Sequence, residues 1–141
     1  DLKEDVILRL SDGNMRGGWW RVPFQRDYTV CYNNEYADYF INGIEKLMDT
    51  YNFDGVYLDG TSRPNYCTNE KHGCGWRDQN GDLHGIYTVS AVRRLFERLY
   101  NVVKPRGGKI NVHCFGFINY TVFTDFLSIG TLTLAAGYDM K

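Results

Sequence analysis

The alternation of apolar and polar positions divides the chain into a short list of elements. Tyr36, Ala37, Phe40, Ile41, Ile44, Leu47, Met48 and Tyr51 recur at three- and four-residue intervals, with Asp38, Asn42, Glu45, Lys46 and Asp49 on the other side. That period predicts one amphipathic helix, with Asn33-Asn34 as its cap and Asn52 as a left-handed terminator. Val89, Val92, Leu95, Phe96, Leu99 and Val103 repeat the pattern behind a capping Thr88. Lys104-Pro105-Arg106-Gly107-Gly108 then stops this second helix.

Between the two helices the period changes to two. In Phe53-Asp54-Gly55-Val56-Tyr57-Leu58-Asp59-Gly60, Val56 and Leu58 share one face while Tyr57 and Asp59 share the other. A short apolar run flanked by helical patterns reads as a buried parallel strand. It ends on a carboxylate, and Gly60 lets the chain turn sharply away. Lys109 to Cys114 alternates in the same way, and Leu127 to Leu134 is a third β-prone run, with a short helix over Ile118 to Phe126. Asp5 to Leu10 fits a short strand, Ser11 to Arg21 a turn-rich loop carrying Trp19 and Trp20, and Tyr28 to Tyr32 a β-prone stretch. The order is the βα alternation of a parallel sheet.

The loop over residues 60–87 holds two cysteines and a dense set of hydrogen-bonding groups, among them Arg63, Asn69, Glu70, His72, Trp76, Asp78 and Asp82. A connection so long in a compact domain is functional or disordered, and its mixed composition predicts an ordered one. A buried strand that ends in an acid and opens into such a loop is where α/β folds keep their active sites. Asp59 is therefore a candidate catalytic residue, against the plainer role of a turn former.

Composition narrows the function classes. With 43% hydrophobic and 23% charged residues the chain is globular in character. A net charge of −1 supplies no basic field, which argues against a phosphate-tracking nucleic-acid binder. The aromatic share of 16%, with 11 Tyr and 3 Trp, suits stacking on sugar faces as well as core filling. No apolar run is long enough for a membrane span, and no signal peptide opens the chain. The abrupt ends read as those of an excerpt from a longer chain.

Four cysteines, Cys31, Cys67, Cys74 and Cys114, are an even count that suits an oxidising compartment. Cys67 and Cys74 bracket six residues and are candidates for a local disulfide. Cys67, His72 and Cys74 are also metal-ligand types, with Cys114 or His113 as a remote partner. Their spacing is not that of a usual zinc knuckle, so a disulfide or free thiols rank above a metal and no cofactor is expected. Asn119-Tyr120-Thr121 is a glycosylation sequon, meaningful in a secreted eukaryotic protein.

No glycine cradle or phosphate-loop lysine follows the strands, which argues against a nucleotide fold. Polar residues at successive strand ends, Asp59 and then His113, are what converge at the mouth of a (β/α)₈ barrel. A full barrel takes about 250 residues. The expected fold is thus α/β, about half of a TIM-type barrel, with parallel strands and outer helices over residues 1–141 as a single partial domain.

The residues at 53–60 resemble the strand-end nucleophile motif of barrel glycoside hydrolases in the α-galactosidase and α-amylase neighbourhood. The longer ordered pattern comprises Cys31, Asp59-Gly60-Thr61, Cys67-Thr68-Asn69, His72-Gly73-Cys74-Gly75, the Arg93–Tyr100 helix and Asn111-Val112-His113. It resembles an uncharacterised glycoside-hydrolase-like barrel family found mainly in bacterial proteins, over about residues 28–126. The resemblance implies a glycoside hydrolase with Asp59 as nucleophile or oxocarbenium stabiliser, and a carbohydrate as partner. Arg63, Asn69, His72, Trp76, Asn111 and His113 become candidate substrate-binding residues, and a secreted or cell-surface location is the expectation. Glycosidases need a second carboxyl group, about 5–5.5 Å away for retention or about 6.5–9.5 Å for inversion. Where relatives place that acid, this chain reads Phe126-Leu127-Ser128-Ile129-Gly130-Thr131; Asp125 lies just before it. The alternative is a non-catalytic relative, a secreted structural or carbohydrate-binding glycoprotein that kept the barrel and lost the acid.

Overall fold

A computed structural model describes residues 5–22, 25–113 and 118–128. Its elements are β1 (Gly17–Val22), β2 (Gln25–Tyr28), α1 (Tyr36–Tyr51), β3 (Gly55–Leu58), β4 (Tyr66–Cys67), β5 (Trp76–Arg77), β6 (Leu83–His84), β7 (Ile86–Tyr87), α2 (Val89–Val103), β8 (Lys109–His113) and β9 (Phe126–Ser128). The chain divides into two units: Asp1–Phe40 with Pro64–Ala91, and Ile41–Arg63 with Val92–Lys141.

The second unit contains the parallel sheet, in the order β3-β8-β9. Val56 pairs with Ile110 and Leu58 with Val112, and on the other side Asn111 pairs with Phe126. Gly55 opens β3 because no side chain fits there: a Cβ would sit 2.2 Å from the Lys109 carbonyl oxygen of the neighbouring strand. The apolar stripe of α2 is buried as its period requires, with Val92, Leu95, Phe96, Leu99 and Val103 all at 1% exposure or less. Ile41, Met48, Leu58, Ile110 and Val112 complete this core. Gly108 marks a point where the elements meet, since a Cβ there would lie 2.8 Å from both the Met48 and Val103 methyl groups. The predicted stripe of α1 is narrower than the sequence suggests: Ala37, Ile41 and Met48 are buried, while Leu47 and Tyr51 are 48% and 63% exposed. Asn34 caps α1 through a 2.8 Å bond from the Tyr36 amide, and Asn52 ends it at φ 52°.

The first unit is built from small antiparallel pieces. β1 pairs with β2, β4 with β7 and β5 with β6. Single bridges join Ile7 to Val30 and Arg9 to Met15. The long loop is ordered, as expected, but holds four short strands and a 3₁₀ turn at Glu70–His72. Its carbonyls and amides are satisfied locally: the Thr88 amide and hydroxyl both donate to the Asn65 carbonyl, at 3.1 and 3.0 Å.

The half-barrel expectation is therefore wrong. Among the described residues, two α-helices of any length and short strands in four small sheets do not make a half-barrel with outer helices. The physical reason lies in residues 5–35 and 64–88, whose turns close strands into antiparallel pairs, where a barrel needs a strand followed by a helix. Ser11 to Arg21 is likewise not all loop, because Gly17–Val22 pairs with Gln25–Tyr28. The side chains of Trp19 and Trp20, and residues 129–134 of the third β-prone run, lie outside the described residues.

Phe96 is the largest of the fully buried side chains among the described residues. Phe96→Ala is expected to lower unfolding free energy by about 3–5 kcal/mol, through lost transfer energy and the cavity it leaves. Urea melts measure this directly; a loss below about 1 kcal/mol would mean that α2 is not packed as described.

Candidate functional site

The alternation along β3 puts Leu58 inside and Tyr57 outside, so the two faces of the sheet differ in character. On the outer face Tyr57, Asn111 and Phe126 form one register row across the three strands. The outer residues of that row are aromatic and open, Tyr57 at 55% and Phe126 at 56% exposure, and they flank Asn111. Asp59 follows β3 directly and is exposed, and Gly60 takes φ 70° to turn the chain away.

The turn after Asp59 is fastened to the end of β8. The buried Ser62 hydroxyl donates to the His113 carbonyl at 3.2 Å. The His113 ring contacts Tyr57 edge-on, and its Nδ1 lies 2.8 Å from the Tyr57 hydroxyl. Tyr57, Asn111 and His113 thus share one open face beside Asp59. This arrangement offers a carboxylate, hydrogen-bonding groups and two flat rings, the chemistry needed to hold a sugar. The Asn111 side-chain oxygen is buried without a hydrogen-bond partner among the described residues. Arg63 belongs to this same unit and is exposed.

The remaining predicted site residues belong to the first unit. Asn69 is 1% exposed, and its role is internal: its amide donates to the Ile7 carbonyl at 3.1 Å and its oxygen accepts from the Lys71 amide at 3.0 Å. Both bonds tie the loop to itself and to the Ile7 backbone. Trp76 is 53% exposed and stacks on His84, with ring centroids 4.6 Å apart. His84 in turn meets Asp78 at 3.0 Å, and this bond holds the Asp78 carboxyl below the usual range.

His72 lies with Cys31, Cys67 and Cys74. Cys67 and Cys74 are free thiols, so the expected disulfide between them is not formed. Hydrogen bonds from the Cys31 and Cys74 thiols hold Cys67 far below the ordinary thiol range and favour its thiolate. The bond to Cys67 pushes Cys31 up. Burial lowers the His72 pKa and keeps its imidazole neutral. Sequence reasoning singled out Cys67, His72 and Cys74 but missed Cys31 as their companion. Of the two remote partners proposed from sequence, His113 has its Nδ1 at 2.8 Å from the Tyr57 hydroxyl, and Cys114 lies outside the described residues, as does the side chain of Asn119 in the 3₁₀ turn Ile118–Phe123.

The chain matches no protein-family model, no curated protein and no solved structure. Among the described residues no helix is long and apolar enough to cross a membrane.

The other acids considered for catalysis have structural work. Glu70 pairs with Arg77 at 3.3 Å. Asp125 accepts from Lys104 at 2.8 Å and from the Ile110 amide at 2.8 Å, near the start of β8 and so at the opposite end of the sheet from Asp59. The Lys104 bond is the first cause that lowers the Asp125 pKa. A carboxyl depressed in the folded state contributes stability above its unfolded pKa, about 3.9. That contribution is lost as pH falls through the folded value. Asp125→Asn should therefore be less stable than the wild type at pH 7, with the gap closing as the pH drops below about 4. Thermal melts across that range test it; a gap that stays constant with pH would show that the carboxylate charge is not what matters.

Proposed function

We propose that the open face at the carboxyl ends of β3 and β8 is a carbohydrate site, with Asp59 as the catalytic carboxylate of a glycoside hydrolase. The observation that carries this reading is the register row of Tyr57, Asn111 and Phe126, two exposed rings about an amide, beside Asp59 and His113. Exposed rings on a rigid sheet give a sugar flat apolar surface at little entropic cost. The ordered motif from Cys31 to His113 supports the same reading through its resemblance to glycoside-hydrolase-like proteins. In such chemistry Asp59 attacks the anomeric carbon or stabilises the oxocarbenium ion, and a second carboxyl group protonates the leaving oxygen.

One observation favours a second reading, carbohydrate binding without hydrolysis. Asp125, Glu70 and Asp78 are each engaged in a structural pair, which leaves Asp59 without an evident partner acid among them. Both readings predict that Tyr57→Ala weakens retention on an oligosaccharide array. Only the first predicts release of reducing sugar from a bound oligosaccharide, slowed by about 10²–10⁴-fold in Asp59→Asn. Binding with no turnover in the wild type would leave the second reading alone. Failure to retain any saccharide would remove both.

A further inference from the structure

Among the described residues, a buried cluster of the first unit joins Leu8 with Cys31, Cys67 and Cys74, so three of its four members are thiols. Units this small rarely hold together on apolar burial alone and usually add disulfides or a metal. All three thiols are free. A single bridge among these three would leave the third sulfur unbridged.

The geometry around these sulfurs is that of a coordination shell. One ligand atom from each of Cys31, Cys67, His72 and Cys74 lies within 4.8 Å of every other. The Cys31 and Cys74 sulfurs are 3.7 Å apart. Zinc bonds of about 2.3 Å to sulfur and about 2.0–2.1 Å to nitrogen, set at tetrahedral angles, separate ligand atoms by about 3.5–3.8 Å. The observed sulfur pair matches that edge, and small side-chain rotations close the wider ones.

An independent observation comes from His72. Both of its ring nitrogens are buried with no hydrogen-bond partner among the described residues. The Ile7 backbone approaches the ring without meeting hydrogen-bond geometry, its carbonyl accepting instead from Asn69. An imidazole so placed costs the full desolvation of two polar atoms unless something absent from the protein itself satisfies it.

The surroundings are also those of a ligand shell. Backbone amides of Asn33 and Asn69, each two residues after a cysteine, point at Cys31 and Cys67. The Asn33 side chain lies 3.7 Å from the Cys74 sulfur and bonds the His72 carbonyl at 2.9 Å. Such contacts fix ligand orientation and stabilise thiolate charge. The loop itself is tightly folded, because a Cβ at Gly75 would fall 1.9 Å from the Thr68 carbonyl oxygen.

We infer that Cys31, Cys67, His72 and Cys74 bind one divalent, thiophilic metal ion, zinc, in a closed tetrahedral site that holds the first unit together. Four protein ligands leave no open position, so the site is structural rather than catalytic. Binding releases thiol protons, and the binding free energy becomes folding free energy for the loop.

The test begins with elemental analysis of the full chain, purified under reducing conditions without chelator. About one zinc per chain is expected. In Cys67→Ser that content should fall at least about tenfold, as the loss of a ligand in a closed four-ligand site predicts. Because this variant risks misfolding, a second pair carries the decision. His72→Cys should retain zinc as a four-thiolate site, whereas His72→Phe, similar in bulk and equally buried, should lose it. In the wild type the three thiols should resist alkylation until zinc is chelated. Metal-free wild-type protein with a folded first unit, a disulfide among the three cysteines, or zinc retained in His72→Phe would each overturn the inference. So would iron found in place of zinc.

Discussion

Three buried thiols, and an imidazole whose two buried ring nitrogens have no hydrogen-bond partner among the described residues, are the constraint on which the first unit depends. Among the described residues, Leu8 is the one non-cysteine member of that buried cluster. Everything near them serves to bring them together. The Ile7–Val30 bridge delivers Cys31, the Thr68 amide is held by the Arg9 carbonyl at 3.0 Å, and Asn69 ties the loop to Ile7. The Cys74 and Gly75 amides then fold back onto the Asn69 carbonyl at 3.1 and 3.0 Å. Each bond is modest, about 0.5–1.5 kcal/mol. A coordinated cation adds a directional, four-cornered constraint that such bonds cannot supply.

The second unit is organised in the opposite way. A continuous apolar surface from α1, α2, β3 and β8 is withdrawn from water, and the parallel register follows from which faces must be buried. That burial frees the other face of the sheet to carry chemistry. Gly55 permits β3 and β8 to approach, and the pairing then sets Tyr57 beside Asn111. Polar strand ends fastened by Ser62 give Asp59 and His113 a rigid base, which is what a functional group needs if it is to act at a fixed distance.

Much of this second unit was legible in the sequence. The periods of α1 and α2, the alternation of β3 and β8 and the cap at Asn34 are all set by neighbours a few residues away. Asp59 was placed on the open side of its strand by the same two-residue period. The barrel was not legible because periodicity says which face is buried and nothing about how many strands close into one sheet. The loop strands β4 to β7 are two residues each, too short for any pattern to announce them. The burial of Asn69 was not legible, because a polar side chain in a loop gives no sign that a carbonyl at Ile7 awaits it. Cys31 was missed as a ligand for a related reason: its approach to Cys74, 43 residues away, depends on strand bridging and not on spacing.

The central claim is that the two units are held by different forces, coordination in one and apolar packing in the other. Hydrogen exchange followed by mass spectrometry, with and without a zinc chelator, tests it most directly. The account predicts that chelation accelerates exchange at Cys31–Asn34 and across Cys67–Gly75, while the amides of α2 and β8 keep their protection. Unchanged protection at Cys67–Gly75 on chelation, or equal loss in α2 and β8, would contradict it.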